Sequence, residues 1–292
     1  MSRLLSFFGG SAFDTSFYSG WSLRKLRSSY SGFCLEVRRS SDNALQNIGF
    51  DSNGLIDTAS LLSFVGAGSG FVRTLYNQST TASLDFLQTT NANQPRIVNA
   101  GTLETLNGKP SLFFDGTDRM QVPTSTALFN FLHNGSLGCA SIVFNKNAAA
   151  LRRLFGNGAG NTARVGILLA AESLGRLSQP IVRGISGSAT VSNISAINLV
   201  AINTSYLVIT YVDADNATAS QRSLMYLNNG SSIANNIEIG APSTANAFAN
   251  FSLGDDGNGA QLFTGRISEL IVYDKHPDLN TLRTDQLNFY GI

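Results

Sequence analysis

The feature that most constrains this chain is a succession of short apolar runs with Asn, Gly, Ser or Asp turns between them. From Pro95 onward short strands recur every ten or so residues, the best of them at 111–114, 140–144, 165–169, 206–212, 223–227 and 267–273. The intervening turns, such as Asn228-Asn229-Gly230 and Asp256-Gly257-Asn258-Gly259, supply residues that tolerate tight or left-handed backbone. Isolated hairpins of this kind are marginal in water, so their apolar faces must be buried by stacking sheets. Because no long helical pattern alternates with the strands, a parallel α/β sheet is excluded and an all-β sandwich is predicted.

Charged residues make up only 13% of the 292, too few for long amphipathic helices, while the 43% hydrophobic content suffices for a substantial core. Short helices are expected at 22–32, at 57–64 behind an Asp57 cap and before Gly66, and at 279–290, the last lying on a sheet edge. No Pro- or Gly-rich linker divides the chain, so residues 21–292 are expected to form one domain. Residues 1–20, with Phe13, Phe17 and Tyr18, are expected to form an N-terminal arm that packs on a neighbouring subunit. The net charge of +1 argues against nucleic-acid binding, and no segment approaches the roughly twenty apolar residues of a membrane span. Cys34 alternates with apolar neighbours and reads as a small buried hydrophobe; with Cys139 it is too little for a disulfide scaffold or a zinc site. The N-terminal apolar patch is too short for a signal peptide, so the Asn-x-Ser/Thr triplets at Asn134, Asn193, Asn203, Asn216 and Asn229 are not expected to carry glycans.

Three stretches resemble concanavalin A-like, laminin-G-like jelly rolls: Asn107-Gly108-Lys109-Pro110 through Asp115-Gly116, Tyr206–Tyr211 leading to Leu224–Gly230, and Phe263-Thr264-Gly265-Arg266 through Tyr273. The resemblance implies a jelly-roll sandwich with a few short helices. The N-terminal third is similar to the start of the catalytic domain of the α-L-arabinofuranosidase B family. The match runs through Leu23–Gly32, Val37–Asn43, Asp57-Thr58-Ala59 and Thr74-Leu75-Tyr76-Asn77-Gln78-Ser79. Similar stretches occur in bacteriophage virion and tail proteins.

That family retains configuration and needs two neighbouring carboxyl groups. The resemblance implies Glu172 as nucleophile, one of only five glutamates, and Asp255 as acid. Their surroundings depart from the family. Ala170 and Ser173 stand where it has an Asp and an Asn, residues 151–157 lack its adjacent cysteines, and Asn77 replaces an Asp. A sugar pocket stripped of its hydrogen-bonding groups would bind poorly.

Asp213 with Asp215, and Asp255 with Asp256, could each gather oxygens around Ca²⁺, although solvated turn acids have the same spacing. No other cofactor is implied: His133 and His276 stand alone, and the glycines of 66–70 precede a strand instead of a helix. The expectation is a non-enzymatic bacteriophage virion protein, a head-decoration or tail-associated jelly roll. It would sit in the virion as a homo-oligomer among other virion proteins, with surface glycans as possible ligands. The alternatives are a retaining arabinofuranosidase-like glycoside hydrolase and a free carbohydrate-binding module.

Overall fold

The computed structural model describes residues 16–81, 84–158, 164–182, 190–234, 236–239 and 242–292. Every strand pairing among them is antiparallel. The strands form two layers. The front layer runs Leu45–Ile48, Leu35–Arg39, Gly70–Leu75, Phe86–Leu87, Met120–Gln121, Ser252–Leu253, Arg152–Gly156, Gly166–Ala171, Leu177–Val182, Thr190–Ile194 and Asn236–Ile239. The back layer runs Thr102–Leu103, Arg96–Asn99, Leu112–Asp115, Thr264–Tyr273, Leu137–Lys146, Ser205–Asp213, Ser223–Leu227 and Ser232–Ile233. Ser19–Ser22 also lies along Thr264–Tyr273.

The layers are joined at both edges. Arg96–Asn99 pairs with Gly70–Leu75 in front and Leu112–Asp115 behind. On the far side the buried Asn193 donates its Nδ2 to the carbonyls of Ser223 at 2.8 Å and Ile233 at 2.6 Å. Between the layers the only tryptophan, Trp21, packs on Phe86 at 4.3 Å between ring centroids, and Phe129 stacks on Phe251 at 4.2 Å. The indole N–H, which would be costly to bury unpaired, donates to the Leu84 carbonyl at 2.9 Å. This is the all-β sandwich that the strand spacing predicts, in the jelly-roll form that the resemblance implies.

The two layers differ in what covers their outer faces. In the central back strands, Ile142, Phe144, Val208 and Leu270 face the core, while Cys139, Val143, Leu207, Ile209, Ile271 and Tyr273 form a second apolar cluster with Leu282, Leu287 and Tyr290. These last belong to the closing helix Leu279–Tyr290, which therefore lies across the outer face of the back layer and not on a sheet edge. Burial on both sides is why these strands are continuously apolar instead of alternating. Asp278 caps the helix by accepting from the Thr281 N–H at 2.8 Å, and Gly291 ends it in the left-handed region at φ 63°.

A buried polar network fastens this helix to the N-terminal strand. Arg24 grips Glu269 with Nε at 2.8 Å and Nη2 at 3.0 Å and also reaches Asp285. Ser22 Oγ, Gln286 Nε2 and Tyr290 Oη donate to the same Glu269 carboxylate. Although burial opposes ionisation, the Arg24 guanidinium and these donors hold the Glu269 carboxyl below the usual range.

The helix expected over 22–32 is absent. Leu23 buries in the inter-sheet core and Leu26 in the cluster under the closing helix, so one helical face could not serve both. Gln78 takes over the local backbone bonding, accepting from the Leu26 N–H at 2.7 Å and donating to the carbonyls of Ser22 and Arg24. The Thr58–Val65 helix, by contrast, has the expected Asp57 cap and ends at Gly66. Of the arm assigned to residues 1–20, residues 1–15 lie outside the described residues. Phe17 is buried against Tyr273, and Ser19 and Gly20 pair with Val272 and Ile271, so these residues belong to the chain's own sandwich. Cys34 and Cys139 are buried and form no disulfide, and burial pushes both thiols up. Among the described residues, no helix is long and apolar enough to cross a membrane.

Candidate functional site

Glu172 follows the strand Gly166–Ala171 and opens the tight turn into Leu177–Val182. Its carboxylate accepts from Arg176 Nε at 3.0 Å and pairs with Arg176 Nη2 at 2.8 Å, four residues on. Its backbone carbonyl accepts from the buried Lys146 ammonium at 2.8 Å, and burial lowers the Lys146 pKa. Arg153, on the neighbouring strand, is buried as well. Burial lowers its guanidinium pKa, while Asp256 and then Glu172 oppose that fall, so the cation lies within electrostatic reach of both acids. Its Nε donates to Gln261 Oε1 at 2.6 Å. The Glu172 carboxylate is thus paired with Arg176, while Lys146 holds its backbone and Arg153 lies within electrostatic reach.

Asp255 lies in the loop that follows Ser252–Leu253 and has no exposed surface. Its Oδ1 accepts from the Gly257 N–H at 3.1 Å, and its Oδ2 from Gly259 N–H at 2.8 Å and Arg119 Nη1 at 3.3 Å. Burial raises its pKa against the pull of Ser252, those two amides and Arg119. Asp256, also buried, accepts from the N–H groups of Asn258 and Ala260 at 2.9 and 3.1 Å. The pair therefore staples its own Gly-rich loop, with the glycines at 257 and 259 taking φ of 88° and 81°. A carboxylate so engaged is a turn-former first.

The other acids singled out from the sequence lie apart from this loop. Asp213 ends the strand Ser205–Asp213 and accepts from Asn216 Nδ2 at 2.7 Å, and Asp215 is exposed in the turn beyond. Among the described residues, no three of His, Cys, Asp and Glu converge on a point where a cation could sit. His133 Nε2 meets the Ala245 carbonyl at 3.0 Å, and His276 stacks on Tyr211 at 4.4 Å with its Nε2 3.0 Å from the Val212 carbonyl.

The open space is elsewhere. A groove of about 330 Å³ lies on the front layer, lined by Thr74, Asp85, Leu87, Pro123 and Thr124. Antiparallel register explains why these residues meet: Thr74 pairs with Leu87 and Leu87 with Gln121, and cross-strand partners share a face. Asp85 and Tyr76 are the next outward positions. Asp85 Oδ1 accepts from the Asn77 N–H at 2.8 Å, and burial raises the Asp85 pKa against that bond. Thr74, Tyr76 and Asn77 fall in the stretch that resembles the arabinofuranosidase B family, whereas Asp85, Leu87, Pro123 and Thr124 carry no motif. The available signal was the polar and apolar alternation through 74–76, whose partner strand was too short to recognise.

No protein-family model and no curated sequence matches this chain. Solved structures do. A GH54 α-L-arabinofuranosidase soaked with a cyclic sulfate inhibitor superposes over 94% of this chain and 62% of its own, with a TM-score of 0.63 at 16% identity. An arabinofuranosidase complexed with arabinofuranosyl-α-1,2-xylobiose gives a TM-score of 0.59 at 17% identity over the same shares. The chain thus spans less than two thirds of the length of these proteins. At such identity the likeness establishes the fold, a β-sandwich jelly roll.

Proposed function

We propose that this chain is a non-catalytic, glycan-binding jelly roll on an arabinofuranosidase-like scaffold, carried as a homo-oligomer on the surface of a bacteriophage particle. The observation that carries the non-catalytic part is the state of the two candidate carboxylates. Glu172 is ion-paired to Arg176, with Lys146 on its backbone carbonyl and Arg153 within electrostatic reach, and the unexposed Asp255 is bound to its own loop. A retaining glycosidase needs both groups open to one glycosidic bond. Glycan binding is supported by the likeness to an arabinofuranosidase that was solved in complex with arabinofuranosyl-α-1,2-xylobiose. The virion placement rests on the resemblance of residues 23–79 to phage virion and tail proteins. Incubation with an aryl arabinofuranoside should give a flat progress curve. Release of the aryl group, lost in Glu172→Gln, would overturn the proposal. Mass spectrometry of purified particles should find the chain at stoichiometric copy number, and its absence would overturn the placement.

One observation favours the glycosidase alternative, in which Glu172 attacks and Asp255 protonates the leaving oxygen. Burial raises the Asp255 pKa, as a general acid requires. The same aryl arabinofuranoside assay decides between the two.

A further inference from the structure

We propose that the groove on the outer face of the front layer is a binding site for neutral saccharides, with Asp85 accepting sugar hydroxyls and the Tyr76–Phe33 pair offering its rings to the apolar face of the sugar. The assignment rests on the glycan-binding proposal and adds the place and the ligand class.

The closing helix covers the back layer, so the outward side of the front layer is where polar residues accumulate on strands. Register sets out a stripe across it. Asn47 pairs with Glu36, Glu36 with Thr74, Thr74 with Leu87 and Leu87 with Gln121. Leu87 gives the groove an apolar floor between Thr74 and Asp85, while the exposed Pro123 and Thr124 form its far wall. Thr124 holds φ at 52°, an uncommon conformation for a β-branched residue. It is kept there by its neighbour: the Ser125 N–H donates to Asn250 Oδ1 at 2.8 Å and Ser125 Oγ to the Val122 carbonyl at 2.6 Å. Strained backbone maintained by its surroundings clusters at ligand sites.

The polar and aromatic groups are preorganised. Asp85 accepts one bond, from Asn77 N–H, and its Oδ2 has no hydrogen-bond partner among the described residues. Asn77 is itself fixed, donating to Ser79 Oγ and the Thr81 carbonyl and accepting from Gly20 N–H. Tyr76 is one residue from that bond, and its hydroxyl donates to Asn47 Oδ1 at 2.8 Å, which orients the ring. Phe33, 49% exposed, lies 6.2 Å from Tyr76 with the planes tilted by 44°. Tyr30 secures Phe33 by donating to its carbonyl at 2.9 Å. Tyr76 directly precedes Asn77, whose N–H Asp85 accepts, and Phe33 lies against Tyr76, so Asp85 and these rings share one neighbourhood. Apolar flooring, a few convergent polar groups and a volume near the lower end of the roughly 300–1,000 Å³ of ligand pockets fit a short stretch of a saccharide chain.

Charge selects the class. Glu36 is neutralised by Arg73 at 2.6 Å, whereas no cation pairs with Asp85 among the described residues. A carboxylated or sulfated sugar would meet an uncompensated negative charge, and a neutral one brings hydroxyl donors that suit it.

Titration calorimetry with neutral arabino-, xylo-, gluco- and galacto-oligosaccharides and one uronic-acid oligosaccharide tests the proposal on the whole chain. A neutral member should bind in the millimolar to micromolar range. Asp85→Asn and Tyr76→Ala should each weaken it about tenfold or more while circular dichroism shows the β fold retained, since a lost charge-assisted bond or stacking contact has this magnitude. Should either variant fail to fold, Phe33→Ala, at an exposed ring, gives the same readout. Saccharide binding that persists in all three variants overturns the site but leaves the glycan-binding proposal standing. Tighter binding of the uronic-acid member overturns the neutral class, and no binding by any member overturns both proposals.

Discussion

Replacing Asp118 by Asn should make the protein more stable at high pH and leave it nearly unchanged at low pH. Asp118 lies between the strands Leu112–Asp115 and Met120–Gln121, is 4% exposed, and accepts the Asp115 N–H on Oδ2 at 2.8 Å. Burial pushes its carboxyl up to about 7 from 3.8, against the pull of that N–H, and the neighbouring Asp115 carboxylate adds to the rise. Since the folded pKa exceeds the unfolded one, the native protein holds a proton that the unfolded chain has released. Stability contributed by the protonated group is therefore fully present below about pH 4, declines as pH rises towards about 7 and stays low beyond it. A displacement of about three pH units corresponds to about 4 kcal/mol, and relaxation of the loop around the ionised group reduces this to roughly 2–3 kcal/mol. Asn keeps an acceptor for the Asp115 N–H and cannot ionise. Guanidinium unfolding of both proteins at about pH 4.5 and about pH 8.5 measures the effect. The variant should gain roughly 2–3 kcal/mol on the native protein between the two conditions. A stability difference that is the same at both would refute the burial argument.

Glu269→Ala should cost about 3–5 kcal/mol in equilibrium unfolding, because it strands the buried Arg24 guanidinium and unties the closing helix. Replacing Arg24 and Glu269 together by Met and Leu should recover most of that loss, which a double-mutant cycle would quantify. Gly265→Ala should lower stability by about 2 kcal/mol or more, read from the denaturant midpoint. Its φ of 143° suits glycine, and an added Cβ would lie 2.1 Å from the Asn145 carbonyl oxygen. Asp255→Ala should cost roughly 1–3 kcal/mol and speed amide exchange at Gly257 and Gly259, whose N–H groups lose their acceptor, whereas Asp255→Asn should retain part of both.

What the sequence reveals of the fold depends on how far each signal reaches. Asp57 and Gly66 bracket one helix and Asp278 and Gly291 the other, and caps act within a turn of the chain, so they can be read directly. The apolar runs at 140–144, 206–212 and 267–273 are equally plain, being buried on both sides. The 22–32 segment misleads because its Leu23 and Leu26 spacing fits a helix, while a side chain fifty residues away, Gln78, bonds the backbone instead. No local pattern encodes that contact.

The candidate site divides along the same line. Glu172 and Asp255 can be picked out by resemblance, yet what decides their chemistry is the set of partners around them. Arg176 is close enough in sequence to have been read as an i, i+4 pair, but Arg153, Lys146 and Arg119 reach the acids from other strands and loops. The groove is less legible still. Leu87 belongs to the two-residue strand Phe86–Leu87, below the length at which alternation is visible, Asp85 immediately precedes that strand, and Thr124 is brought opposite them by the pairing of Gln121 with Leu87. A recognition surface on the outside of a sheet is a property of register: shifting the 86–87 pairing by one residue would send Asp85 and Leu87 into the core and Phe86 into the groove. Phe86 prevents that slip by filling the space against Trp21 and Phe251, so the same aromatic packing that stabilises the core also fixes which residues the groove presents.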